Sequence, residues 1–178
     1  MTFVPTLNFN GQCREAMEYR TESLVLHEAT EADLAEVART WPSDHPLSAT
    51  EAQAQIARMR ETHVKNAAGK LLHLCLAVCG QADPGVIRGW CGLDGSRNPS
   101  EPEIFVLLDE GFRNRGYGTQ CMKELLRISV YEYRLHAVHG GCFKDNIASA
   151  RAMEKAGMVP CGTEDNGDPR FVFIPAGM

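Results

Sequence analysis

The sequence predicts an α/β domain built on a mixed sheet. Apolar segments of strand character alternate with segments of helical period in the order β-α-α-β-β-β-α-β-α-β-β, and no internal repeat or low-complexity tract interrupts them. Size points the same way: 178 residues suffice for one domain with a real core and fall short of two ordinary ones.

Each element has a local reason. "SLVLHEAT" (23–30) reads as a strand, and Thr30 with Asp33 signals an N-cap for "EADLAEVARTW", where Leu34, Val37, Ala38 and Trp41 share a helical face until Pro42 stops it. "SATEAQAQIARMRETHVKN" (48–66) fits a second helix. "LLHLCLAVC" (71–79) and "VIRGWCGLD" (86–94) read as strands joined through the turn-rich "GQADPG", and "PEIFVLLD" (102–109) as a third. From Tyr117 to about Arg134, Cys121, Met122, Leu125, Ile128 or Ser129, and Val130 recur at helical spacing. "LHAVHGGCF" is then a strand, "NIASARAMEKAG" a helix closed by Gly157, and "RFVFIP" a last strand.

Composition narrows the function. The hydrophobic share is 44% and no apolar run approaches the roughly 18 residues of a membrane span, so no membrane association is expected. The N-terminus lacks the basic-then-apolar layout of a signal peptide, which makes the cytoplasm the expected location. Net charge is −5, from 18 Lys and Arg against 23 Asp and Glu, and offers no general attraction for nucleic acid; a cationic substrate suits it better. Cysteines at 13, 75, 79, 91, 121, 142 and 161 are scattered through apolar segments without paired spacing, as expected of free buried thiols.

The stretch "EGFRNRGYGTQCMKELL" (110–126) joins a strand to a helix and has the look of a phosphate cradle. Gly111 and Gly116 have the spacing of a Walker loop, but Tyr117-Gly118 stand where Lys-Ser or Lys-Thr is required. A dinucleotide fingerprint needs a third glycine where Cys121 stands, and the chain's start holds no strand–loop–helix unit. What remains is Arg113-Asn114-Arg115-Gly116-Tyr117-Gly118, an Arg/Gln-x-x-Gly-x-Gly/Ala pattern. Its glycines remove side chains from the path of an anion approaching backbone N–H groups and a helix N-terminus.

With this signature and "DNIASARAMEKAGM" (145–158), the chain resembles the GNAT superfamily of acetyl-CoA-dependent N-acetyltransferases over about residues 23 to 175. The second segment is similar in form to the branch that contains ribosomal-protein N-terminal acetyltransferases and many bacterial small-molecule acetyltransferases. The resemblance implies a GNAT fold with helices flanking a twisted mixed sheet. It implies that acetyl-CoA is the co-substrate, with its pyrophosphate on Arg113, Asn114, Arg115, Gly116, Tyr117, Gly118 and Thr119. Val106, Leu107 and Leu108 would pair with the pantetheine, which Asn146 also reaches. The acceptor is then a small-molecule amine or a protein N-terminus. The expected mechanism is direct attack in a ternary complex with backbone N–H groups supporting the oxyanion, and no metal is required. A non-catalytic acyl-CoA-binding or sensing module on the same fold is the alternative.

The chemistry assigns roles. A protonated amine cannot attack a thioester, so a general base is needed. Glu103, opening the strand that leads to the cradle, matches a position where the family often carries that base; the plainer reading is a solvated strand-end carboxylate, and His139 is a second candidate. The thiolate must also leave. Many relatives use a tyrosine where this chain has Met153, so Ser149, one turn earlier, is the candidate donor, unless it only fills the first turn after an N-capping Asn146. Arg113 and Arg115 are anion contacts or surface charges. His73, Cys75, Cys79 and Cys91 superficially suggest zinc but lack a Cys-x-x-Cys knuckle, and Cys142 lacks a base partner for an acyl-carrying role.

Residues 1–22 fall outside the domain expected over 23–178. "PTLNFNGQCREAMEYR" (5–20) resembles the opening strand and helix of glyoxalase-like vicinal-oxygen-chelate proteins, without a metal set. It is expected to be a strand–helix appendage, suited to packing on a neighbouring subunit in a homodimer.

Overall fold

The computed structural model describes residues 16–176 together with the backbone of residues 6, 7, 13 and 14. Strands β1 (Thr6–Leu7) and β2 (Cys13–Arg14) pair only with each other. β3 (Glu18–Arg20) and β4 (Leu24–His27) precede helices α1 (Leu34–Thr40) and α2 (Ala49–His63). β5 (His73–Gly80), β6 (Asp83–Asp94) and β7 (Glu103–Leu108) form a meander. α3 (Tyr117–Tyr131), β8 (Val138–Gly141), α4 (Ile147–Ala156), β9 (Val159–Thr163) and β10 (Pro169–Phe173) complete the chain. From β4 onward this is the element order expected from sequence.

Local chemistry sets the helix ends. Thr30 and Asp33 form a reciprocal capping box over one 3₁₀ turn that leads into α1, and Ser48 with Glu51 does the same for α2. α4 ends at Gly157, whose φ of 103° is left-handed backbone that glycine adopts without steric cost.

The eight-stranded sheet has the order β3-β4-β5-β6-β7-β8-β10-β9. Every neighbouring pair is antiparallel except β7 and β8, which are joined by the α3 crossover and share one register pair, Glu103↔His139. Past that rung the two strands part. Helices cover both faces. α1 and α2 pack on one, around Val37, Ala52, Ile56, Cys75, Ala77 and Trp90. α3 and α4 pack on the other, around Leu74, Leu76, Cys91, Ile104, Cys121, Leu125 and Met153. Alternation therefore sends Glu103, Phe105 and Leu107 to the α1/α2 face and Ile104, Val106 and Leu108 to the α3/α4 face.

Where described, the N-terminal appendage corrects the strand–helix expectation. Cys13–Arg14 is strand, and Glu18–Arg20 is the edge strand of the main sheet, antiparallel to β4. The open edge of β4 offers backbone partners, and pairing there outweighs the helical tendency of "CREAMEYR". The edge strand also clasps α3. Tyr19 Oη donates to Glu132 Oε2 at 2.7 Å, Thr21 Oγ1 donates to Gln120 Oε1 at 2.7 Å, and the Ser23 N–H donates to the same oxygen at 3.2 Å. The rest of the appendage, including Cys13's side chain, lies outside the described residues.

One buried polar pair ties α2 to the sheet. His63 Nε2 accepts from the Cys75 N–H at 3.0 Å, so Nδ1 carries the proton and donates to Glu28 Oε1 at 2.9 Å. Among the described residues, no helix is long and apolar enough to cross a membrane.

Candidate active site

The parting of β7 from β8 exposes backbone. The Asp109 N–H donates to Arg88 O on β6 at 2.8 Å, while Pro102 O accepts from the His139 N–H on β8 at 2.9 Å. Successive residues of a strand point their polar groups to opposite sides, so Asp109 and Leu107 face β6, and Val106 and Leu108 face the gap beside β8. Of the three strand residues singled out from sequence, Val106 thus presents a free rung and Leu108 an open N–H, its carbonyl being taken by Arg113. The Leu107 backbone is engaged with β6, and its side chain is 49% exposed.

At the end of β7 the loop 109–116 is held in one shape. Arg113 Nε donates to Leu108 O at 2.8 Å, and the Phe112 and Tyr117 rings meet at 4.8 Å between centroids. Arg113 is therefore tied to the strand end by one nitrogen, and Arg115 is exposed at the loop's surface. Asn114 (φ 59°) and Gly116 (φ 80°) take left-handed backbone that turns the chain sharply into α3. No side chain caps this helix, and its first intrahelical bond is Gln120 N–H to Gly116 O at 3.1 Å. The N–H groups of Tyr117, Gly118 and Thr119 accordingly have no acceptor among the described residues, and the helix dipole adds positive potential there. A Cβ built on Gly118 meets nothing within 4 Å, so the space over these donors is open. A diphosphate fits such a cradle, and an extended amide chain fits the adjacent Val106 rung and Leu108 N–H.

On the other flank, Asn146 caps α4, its Oδ1 accepting from the Ser149 N–H at 3.1 Å. Cys142, half-buried at the end of β8, meets the Ser149 hydroxyl and the Ala150 N–H; burial, then Asp168, pushes its thiol up. Ser149 thus already faces a sulfur. Met153 lies in the core at 2% exposure, and a Cβ on Gly140 would stand 3.2 Å from its sulfur.

Register aligns His73, Asp94, Glu103 and His139 in one row across β5, β6, β7 and β8 on the α1/α2 face. Beside this row is a cleft of about 340 Å³ lined by Asp94, Arg97, Glu101, Glu103, His139 and Arg170 with Ser96 and Asn98. Arg170, from β10, reaches across Gly141 of β8 to donate from Nη2 to Glu103 Oε1 at 2.6 Å; a Cβ on Gly141 would lie 3.1 Å from its Nη1. Its Nε lies 3.4 Å from Glu164. His139 Nε2 lies 3.6 Å from Glu101 Oε2. Burial disfavours the charged form of Asp94, but hydrogen bonds from Ser96 and the nearby His73 outweigh it and hold the carboxyl below its ordinary value. Burial pushes His73 down.

The structure brings Glu103 and His139 together as register partners and puts the 113–119 cradle at the far end of β7. Arg170, Arg97, Asp94 and Glu101 are residues that sequence reasoning missed. The zinc pattern dissolves, because Cys91 pairs with Leu76 and faces the α3/α4 core, opposite to Cys75. Among the described residues, no group of three or more His, Cys, Asp or Glu is placed to hold a metal ion.

The sequence pattern of the Acetyltransferase (GNAT) domain matches residues 23–159. Among curated proteins no sequence relative is found. The structure is similar to that of a ribosomal-protein-S5-alanine acetyltransferase from Vibrio fischeri, with a TM-score of 0.74 at 15% identity, covering 89% of this chain and 96% of that one. It is similar to RimL, a ribosomal L7/L12 alpha-N-protein acetyltransferase in complex with coenzyme A (TM-score 0.63, 17% identity, 86% and 95% covered). It is also similar to the microcin C7 self-immunity acetyltransferase MccE in complex with acetyl-CoA and AMP (TM-score 0.65, 13% identity, 87% and 94% covered). At these identities the likeness is one of fold.

Proposed function

The chain belongs to the GNAT acetyltransferase family and is an acyl-CoA-dependent acetyltransferase, and from that premise we propose that it acetylates a primary amine by direct attack in a ternary complex. The observation that carries this reading is the continuity of two open backbone surfaces, the N–H groups of Tyr117, Gly118 and Thr119, unpaired among the described residues, and the Val106 rung with the Leu108 N–H, which suit a diphosphate followed by an amide chain. Acetyl-CoA, when bound, supplies an activated acetyl thioester.

The chain's own residues do the rest. The first turn of α3 and the guanidinium groups of Arg113 and Arg115 hold the diphosphate, and the rungs of β7 with the exposed Asn146 orient the amide chain. Glu103 takes one proton from the acceptor amine, directly or through water, as the N–C bond forms and the C–S bond breaks. Arg170 fixes Oε1 of that carboxylate and leaves Oε2 for the proton. Ser149 donates its hydroxyl to the departing sulfur.

Two measurements test the proposal. Acetyl-CoA should raise the melting temperature of the full chain, and an amine panel should yield acetylated product. Glu103→Gln should lower kcat/KM on the order of a hundredfold with acetyl-CoA affinity by calorimetry nearly intact. Wild-type turnover by this variant moves the base to His139, and acetyl-CoA binding without turnover of any amine leaves the binding module.

A further inference from the structure

The acceptor cleft carries an inference about the kind of amine it takes, resting on the function proposed above. Among the described residues, no apolar side chain lines it. A hydrophobic acceptor gains nothing by entering, so charge and hydrogen bonding must hold whatever binds.

Its two guanidinium groups differ. Arg170 is engaged by Glu103 at 2.6 Å and by Glu164 at 3.4 Å. Arg97 is 81% exposed, with its Nη1 at 3.9 Å from Glu103 Oε1 and no hydrogen bond among the described residues. It stands over the cleft as a planar fork with capacity for a carboxylate. The carboxylates of Asp94 and Glu103, paired side by side on β6 and β7, receive a positive group beneath it.

We propose that the acceptor is a small zwitterionic amine of the α-amino acid class, its carboxylate on Arg97 and its amino group at Glu103. The amino nitrogen and carboxylate oxygens of such a compound are roughly 3 Å apart by standard bond lengths. That spacing is close to the 3.9 Å between Arg97 Nη1 and Glu103 Oε1, so a ligand lying alongside the loose pair meets both ends at once. A diamine brings its second ammonium against Arg97, and a peptide N-terminus has no carboxylate to answer it.

The test uses the full chain with acetyl-CoA, reading acetylated product by mass spectrometry across free α-amino acids, their carboxamides, N-terminal tripeptides and diamines. The best free amino acid should exceed its carboxamide at least tenfold in kcat/KM. Arg97→Ala should lower the value for the acid to that for the carboxamide, chiefly through KM, and Arg97→Lys should restore part of it. Calorimetry of the acid into the CoA-saturated protein should show binding that Arg97→Ala weakens. Equal or better use of carboxamides, peptides or diamines overturns this acceptor class and leaves the transferase reading standing, as does an equal loss for acid and carboxamide in Arg97→Ala. Acetyl-CoA binding with no turnover of any amine overturns both.

Discussion

Two sulfur neighbourhoods make the site testable at the level of single residues. The Ser149 hydroxyl lies beside the Cys142 sulfur, within reach to donate to it. If that donation transfers to the departing thiolate, Ser149→Ala should lower kcat about ten- to a hundredfold with little change in KM, since a charge-assisted hydrogen bond contributes about 1.5–3 kcal/mol. Cys142→Ala should stay near wild type in the same steady-state assay. A Ser149→Ala enzyme with full kcat would reduce the serine to a helix-turn filler. The other thiols differ in reactivity. Burial pushes Cys75 and Cys79 up to about 12, and the neighbouring Cys121, then burial, holds Cys91 well above the ordinary thiol range. At pH 8 these groups are almost wholly protonated, and only the thiolate alkylates. Iodoacetamide followed by peptide mass mapping should therefore label exposed Cys161 first, Cys142 slowly, and the buried four only after denaturation; early labelling of Cys75 in the folded protein contradicts the packing described.

α3 shows why some elements were legible and others were not. Its start was readable because the reason for it is local. Gly116 needs left-handed backbone, and Gly118 opens space, and each follows from a residue type at a fixed offset. The two glycines accordingly predict different failures. Gly116→Ala places a side chain at φ 80°, a strain of about 1–2 kcal/mol, and should lower the melting temperature without ligand. Gly118→Asp meets nothing within 4 Å, so the unliganded melting temperature should hold while the rise on adding acetyl-CoA disappears. Unchanged acetyl-CoA affinity in Gly118→Asp would remove the cradle from the mechanism. The edge strand β3 was misread for the opposite reason. Glu18-Tyr19-Arg20 lies in a stretch of helical tendency, and its strand form rests on partners outside itself, β4 across the turn at 21–23 and, through Tyr19, Glu132 at the end of α3. Arg170 was invisible on the same ground, since nothing near "DPRFVF" marks an arginine that will cross β8 to Glu103.

For the whole molecule, the decisive feature is that two portions of one sheet meet at a single β7–β8 rung. The Arg170–Glu103 pair spans the same seam, and partial exposure of both groups limits its contribution to about 1 kcal/mol. Small as that is, it adds a polar tie on the α1/α2 face to the α3/α4 core that joins the two portions from the other side. Arg170→Met should speed amide exchange in β8 and β10 by several-fold, read by hydrogen-exchange mass spectrometry, and leave β5 and β6 unchanged; uniform acceleration across both portions would show that the pair is not a seam contact. The clasp between the N-terminal edge strand and α3 has a different consequence, in time. Tyr19 is 113 residues from Glu132, and Thr21 is 99 from Gln120. During synthesis the edge strand emerges well before its partners on α3. Contacts of such sequence separation carry a large loop-closure cost and form late. Residues 19–21 therefore wait unclasped while the intervening segments are made, and the helix that carries the cradle gains this outer support only when an older stretch of chain closes onto a younger one.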